Sequence, residues 1–495
     1  MSQIAFAHNQ SVVSGLKPEL VWHYFAAISD IPRASGNEYA IAEYIMNEAA
    51  QFNCQAVRDD VGNVIVHKAA SSAEYAGSPI VVIQSHMDMV TEKHKNVAHD
   101  FDNDPIKFVL KDNNLYADGT TLGADNGIGV AIALAIMASN DVAHGPLELL
   151  FTVQEETTFD GAKNVRPESI QGRLLINIDA EEEGAVYIGC AGSGCVIGTL
   201  PVAREEGIGF AYARITIDGL RGGHSGVDID KGRVNALKLV HTILSKVQEV
   251  PFRIVSINGG NRLNAIPRDV ECVVAIAQSH AGDFVQSLDQ IKRDVKTHYE
   301  AAEPGMLIEL SWLDQEQQLL SEESHNAVMQ LLSTIPHGVL GMSKSIENLV
   351  ETSNNLAKIS TAADHITFSS MHRSLVNQHI NSTATHIADI FSSMAADAQI
   401  EGGFFEWEPY IQSPLLKKAT ASYKRRFSKD MEIKAIHAGL ECGAFVKQIP
   451  GLDAISCGPT IHDAHSPNEH IEIDAVQPFW LFLTDLLADL AKKAE

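Results

Sequence analysis

In the stretch VVIQSHMDMV, an imidazole and a carboxylate, His86 and Asp88, stand two residues apart at the end of a β-branched apolar run. Further along, Glu155 and Glu156 in FTVQEETTFDGA and Asp179 in INIDAEEEG again follow apolar runs directly, and Asp125 in TLGADNGIGVAIAL and His465 in IHDAHSPNEH join them at predicted strand ends. Two imidazoles with several carboxylates suit zinc or a similar borderline divalent ion, and the absence of a thiolate argues against a closed structural site. There are more carboxylates than one ion requires. Each residue also has a plainer reading. Asp125 could cap the helix that follows it, Glu155 and Glu156 could form a solvated turn, Asp179 opens an acidic run typical of a surface, and His465 has His462 and His470 as neighbours. The conjunction argues for chemistry, because independent accidents would have to fall at successive strand ends of one domain. For Asp88, the i, i+2 spacing puts its side chain on the same side of an extended segment as His86.

The elements that must position these residues are legible in outline. Residues 17 to 50 read as two helices broken at DIPRASGNE, where Ser35 can cap and Glu38 completes a capping box. The runs NVIVH, PIVVIQ, IGVAIALAIMA, LELLFTV and LLINI then alternate with helical segments. This predicts an α/β domain with a central, largely parallel or mixed sheet flanked by helices, in which ligands gather at the carboxyl ends of the strands. From about residue 190 the texture changes to a strand, a Gly-rich loop and a long helix in ARITIDGLRGGHSGVDIDKGRVNALKLVHTIL. A weak repeat sets NRLNAIP at 261 to 267 against NNLAKIS at 354 to 360, so this segment is expected to be an inserted, internally duplicated α+β lid domain. The expected domains are residues 1–189 and 403–495 for the catalytic part and 190–402 for the two-lobed insertion.

A chain of 495 residues is too long for one compact core, and 45% hydrophobic with 20% charged residues is ordinary for a globular protein. The formal net charge of -26 repels polyanions, which weighs against nucleic acid or an anionic membrane surface as partner. No basic, apolar leader and no long apolar span is present, so a cytoplasmic protein is expected. The six cysteines are scattered without a CxxC pair. GCAGSG at 189 to 194 has the wrong glycine spacing for a dinucleotide loop, and His94, His99, Asp100, Asp102 and Asp104 read as a polar surface loop.

The series SHMD, LGADNGIG, QEE, NIDAEEEG and HDAHSPNE, interrupted by an insertion carrying GGHSG, resembles the dinuclear zinc peptidases related to aminoacylase, tripeptidase and carnosinase. Within them, GLRGGHSGVDI, NRLNAIPR and HAGLECG are similar to the bacterial aminoacyl-histidine (Xaa-His, or carnosine) dipeptidases, over essentially the whole chain. The resemblance implies two divalent ions per chain, zinc before cobalt or manganese. His86 and Asp179 would bind one, Glu156 and His465 the other, and Asp125 would bridge them. It further implies Asp88 as the carboxylate that orients His86 and Glu155 as the general base toward a water acidified by the ions. On the lid, His224, Asn264 and Arg373 match positions that contact the oxyanion or the substrate carboxylate, and Glu441 could receive the substrate's amino group. The expected activity is hydrolysis of short peptides with a free carboxylate, in particular Xaa-His dipeptides including β-alanyl-histidine. A tripeptidase or an N-acyl amino acid deacylase on the same scaffold, or a catalytically silent binding protein, are the alternatives. A homodimer with self-contained sites is expected.

Overall fold

Every residue of the strand Val81–His86 is buried, because it lies inside a sheet covered on both faces. The computed structural model describes residues 3–247, 249–314 and 317–492. They divide into two compact units, Met1–Cys190 with Trp407–Ala435 and Leu440–Glu495, and Ala191–Glu406 with Ile436–Gly439. Relative to the expected 1–189, 190–402 and 403–495, residues 403–406 and 436–439 fall in the second unit.

The first unit is built on an eight-stranded sheet. Its spatial order is Gln55–Arg58, Val64–Lys68, Leu147–Thr152, Val81–His86, Leu174–Asn177, Asp453–Ser456, Ala185–Cys190 and Glu432–Ile436. The four central strands are mutually parallel and the flanking pairs at Val64–Lys68 and Ala185–Cys190 antiparallel, so the sheet is mixed. IGVAIALAIMA belongs to a helix, Ala124–Ala138, buried along almost its entire length. A helix buried all round loses the amphipathic period and reads in sequence like a buried strand. It joins a core with the helices Glu19–Ser29 and Ile473–Ala491, through residues such as Trp22, Phe25, Phe482 and Leu486.

The capping box expected at Ser35 and Glu38 does not form. The helix Tyr39–Gln51 begins without a side-chain cap; Ser35 Oγ donates instead to Asp88 at 2.7 Å, and Glu38 Oε1 accepts the N–H groups of Gly36 and Gln154 at 2.9 and 3.0 Å. Both residues are drawn away from the helix end by buried partners more than fifty positions distant, which local sequence cannot reveal.

The second unit is built on a nine-stranded antiparallel sheet, ordered Leu307–Leu313, Phe210–Asp218, Val270–Ala277, Phe252–Gly259, Val350–Thr361, His365–Ser374, Gly192–Pro201 and Asp397–Gly402, with Gly338–Met342 added beside Val350–Thr361. Phe210–Asp218 is followed by a helix, two strands, a helix and a strand. From Glu322–Thr334 to Asp397–Gly402 the order is instead a helix, the three strands Gly338–Met342, Val350–Thr361 and His365–Ser374, a helix and a strand. The proposed seven-residue match is also not equivalent in space. NNLAKIS lies within the long strand Val350–Thr361, whereas NRLNAIP lies in the connection between two strands and contributes only the short strand Ala265–Ile266. Among the described residues, no helix is long and apolar enough to cross a membrane.

Candidate active site

Strand register brings the first unit's candidates together. His86 pairs with Thr152 on one side, while Gln84 pairs with Asn177 on the other. Asp179, two residues past Asn177, is therefore carried level with His86, and Glu155 and Glu156 emerge in the turn just past Thr152. His86 Nε2 stands 3.1 Å from Asp125 Oδ1 and 3.2 Å from Asp179 Oδ1. His465 Nε2 stands 3.0 Å from Asp125 Oδ2 and 3.0 Å from Glu156 Oε2. The two oxygens of Asp125 thus face different imidazoles, and each imidazole has a further carboxylate of its own. Ligand atoms of His86, Asp125 and Glu156 also lie within 4.8 Å of one another, so the two halves share one space. Asp125 sits at a kink in the helical run, and its two carboxylate oxygens face His86 and His465. His465 is held at φ 61°, between the short strands Ile461–His462 and His470–Glu472.

Asp88 does more than orient a ring. Its Oδ1 lies 3.3 Å from His86 Nδ1, off the line of a hydrogen bond, and it accepts from the N–H of Glu155 at 3.1 Å, while Oδ2 accepts from Ser35 and from the N–H of Glu156. One buried carboxylate therefore holds both the strand-end histidine and the acidic turn. Burial alone would raise its pKa, but His86, Ser35 and the Glu156 N–H outweigh that and hold it low.

The electrostatics are those of a site built for cations. Burial pushes the Glu155 carboxyl well above the usual range; His86 opposes this, and Glu156, Asp179 and Glu441 add to it. Glu156 is pushed up to about 7 by burial and by Asp125. Burial would lower both imidazoles, yet the carboxylates prevail: His86 rises well above its ordinary value, and His465 to about 12. Glu156 Oε1 and Asp179 Oδ1 are buried with no hydrogen-bond partner among the described residues. Two imidazole nitrogens, a shared carboxylate and unsatisfied carboxylate oxygens fit divalent ions as the missing compensation.

Glu441 opens the helix Glu441–Gln448 and is fully buried. Its Oε2 accepts from Gln84 at 2.5 Å and Thr152 at 2.7 Å, its Oε1 has no partner among the described residues, and burial raises its pKa to about 8.

In the second unit, the three lid candidates converge on Ser225. Arg373 Nε lies 3.5 Å from Ser225 Oγ, and the Asn264 carbonyl accepts the Ser225 N–H at 2.8 Å. Gly223–His224 pairs with Ala265–Ile266, and Gly222 and Gly223, at φ 61° and 141°, supply the backbone this turn requires. His224 Nδ1 lies 3.2 and 3.3 Å from the N–H groups of Gly226 and Val227, which donate to it. An acceptor Nδ1 places the proton of the neutral ring on Nε2. His224 Nε2 lies 3.3 Å from Arg373 Nη2, so imidazole and guanidinium stand side by side. Arg373 is 2% exposed, and no carboxylate lies within ion-pair distance of it among the described residues. Sequence reasoning missed its surroundings: Asn355, whose Nδ2 donates to the Leu263 and Ala265 carbonyls, and His437, whose Nε2 lies 2.7 Å from Ser353 Oγ. His437 was within reach, since it starts the quoted HAGLECG; Asn355 carries no local signal.

Residues 82–489 match the model of peptidase family M20/M25/M40. The chain belongs to this family. This M20 peptidase is a metal-dependent peptide-bond hydrolase. It is 36% identical over 486 residues to the cytosol non-specific dipeptidase of Escherichia coli (strain K12), covering 98% of this chain and 100% of that one. It is 35% identical to the crystallised aminoacylhistidine dipeptidase from Vibrio alginolyticus, with a TM-score of 0.85 over 97% of this chain and 99% of that chain. A tripeptidase from Staphylococcus aureus, 16% identical with a TM-score of 0.57 over 97% of this chain and 100% of that one, shares the fold.

Proposed function

We propose that this M20 peptidase hydrolyses dipeptides with a free C-terminal carboxylate, Xaa-His substrates such as β-alanyl-histidine among them, using two divalent ions per chain. The observation that carries the reading is Asp125, whose two oxygens face two different imidazoles. His86 and Asp179 would hold one ion, His465 and Glu156 the other, with Asp125 shared. Imidazole and carboxylate donors favour zinc, with cobalt or manganese able to replace it. Such ions supply Lewis acidity, polarising the scissile carbonyl and acidifying a water.

The chain's own groups do the rest. Glu155, crowded by Glu156, Asp179 and Glu441, takes the proton of the attacking water and returns it to the leaving amine nitrogen. His224 donates through Nε2–H to the developing oxyanion. Arg373, buried without a carboxylate, receives the substrate's terminal carboxylate in its planar fork, with Asn264 beside it. Glu441 offers its unpartnered oxygen to the substrate's amino group. Two full-length relatives, 36% and 35% identical, are named as dipeptidases, which supports two residues as the substrate length. A cytoplasmic location is supported by the name of the Escherichia coli relative. We also propose a homodimer in which each chain supplies a complete set of these groups.

The test is hydrolysis by zinc-loaded protein of β-alanyl-histidine, of other dipeptides, of Gly-Gly-Gly and of an N-acetyl amino acid. Dipeptides should be cleaved fastest. Cleavage of the acetyl compound alone would replace the dipeptidase reading with a deacylase.

A further inference from the structure

Gly123 is gripped on both sides. Its carbonyl accepts from Arg33 Nη2 at 2.5 Å, and its N–H donates to Glu469 Oε2 at 2.9 Å. Arg33 Nη1 also reaches the carbonyls of Met87 and Asp88, at 3.1 and 3.0 Å, directly after His86. Glu469 accepts in addition from the N–H groups of Leu122 at 2.8 Å and Asp125 at 3.2 Å, and it lies four residues beyond His465 in the chain. Both side chains are buried, 1% and 2% exposed. Removing a guanidinium and a carboxylate from water is costly, yet nearly all of their bonding here goes to backbone around the ligand-bearing loops.

We propose that Arg33 and Glu469 are positioning residues that set where Asp125 stands, Arg33 with respect to the His86 half of the site and Glu469 with respect to the His465 half, and thereby govern whether the chain holds two divalent ions. This rests on the reading of Asp125 as the shared ligand. The geometry separates the two roles. Arg33 ties the turn after Val81–His86 to the loop before Asp125, and Glu469 ties that same loop to the segment carrying His465. Two of the three glycines of LGADNGIG fit this arrangement, since a Cβ on Gly123 or Gly127 would come within 2.5 Å of Arg33 Nη2.

The test is titration of chelator-stripped chain with zinc against a competing indicator, alongside thermal melting. Variants are Arg33→Met, Arg33→Lys, Glu469→Gln and, for a core lesion away from these loops, Leu486→Ala. Wild type should take two ions. Each Arg33 and Glu469 variant should bind one of them roughly 10–100-fold more weakly while retaining the other, the usual size of a loss behind a metal ligand. Lysine should not rescue, because it keeps the charge but loses the fork. Leu486→Ala should lower the melting temperature and leave both zinc affinities alone. If the wild type binds two ions and the Arg33 and Glu469 variants do so with wild-type affinities, differing only in melting temperature as Leu486→Ala does, the pair is merely structural and the proposal is overturned. Should Arg33→Met fail to fold, Arg33→Lys and Glu469→Gln decide the same question. A wild type that takes only one ion would refute the shared-ligand reading itself.

Discussion

Glu155 and Asp88 are both carboxylates at the same strand ends, and their surroundings give them opposite tasks. Glu155 accepts no hydrogen bond from a described side chain, and burial, with Glu156, Asp179 and Glu441 adding to it, raises its proton affinity. Glu155→Gln should leave zinc bound while lowering turnover by about 10²–10⁴-fold, as read by metal content and kcat on the same preparation. Asp88 is saturated by Ser35, two N–H groups and the nearby His86. Asp88→Ala should therefore weaken both zinc affinity and turnover by roughly 10–100-fold, because it releases a ligand and the base together. pH dependence has a definite sign. Glu156 at about 7 and His465 at about 12 must both lose protons to ligate. Apparent zinc affinity should thus rise with pH through neutrality, and binding should release protons into a weak buffer; a flat affinity between pH 6 and 8 would contradict this. At this scale the sequence was informative: residue types at the strand ends singled out His86, Asp125, Glu156, Asp179 and His465, whose side chains the structure brings together. What it could not show was where Ser35, Arg33 and Glu469 bond: Ser35 donates to the Asp88 carboxylate, and Arg33 and Glu469 meet backbone groups far away in the chain.

At the level of elements, the site exists because three parallel strands end together and a helix begins beside them. The alternation of apolar runs foretold the sheet, and the register that levels Asp179 with His86 follows from the pairing of Gln84 with Asn177. The helix Ala124–Ala138 was harder to distinguish from a strand because burial on every side erased its period. Its entry is also its most constrained point. Gly123 has φ 67°, and an added Cβ would meet Arg33 Nη2 at 2.5 Å and Met89 Sδ at 2.7 Å. Gly123→Ala should cost about 1–3 kcal/mol in stability, the scale of a strained residue, and weaken zinc binding, because the displaced loop carries Asp125. Chemical denaturation and zinc titration of the same variant check both. An alanine tolerated in both measurements would show that the loop can re-form around it.

For the whole molecule, the change of texture near residue 190 was legible, whereas the return of 436–439 to the second unit was not: HAGLECG is one continuous motif in sequence, but His437 and Glu441 fall in different units. The seven-residue match pairs a strand, NNLAKIS within Val350–Thr361, with a connection, NRLNAIP. Three identities in seven residues arise readily without structural equivalence. The lid groups make their own prediction. Arg373→Ala should be far more damaging with a free-acid dipeptide than with its C-terminal amide, and equal losses would remove Arg373 from carboxylate recognition. Mixed dimers of Glu155→Gln and His224→Ala chains should stay inactive if each chain is self-contained, while recovered activity would show that the sites are completed by the partner. The account as a whole stands on the two faces of Asp125. Chelator-stripped protein titrated with zinc, with turnover of a dipeptide followed at each addition, should bind two equivalents per chain and reach full activity only on the second. Saturation and full activity at one equivalent would contradict it.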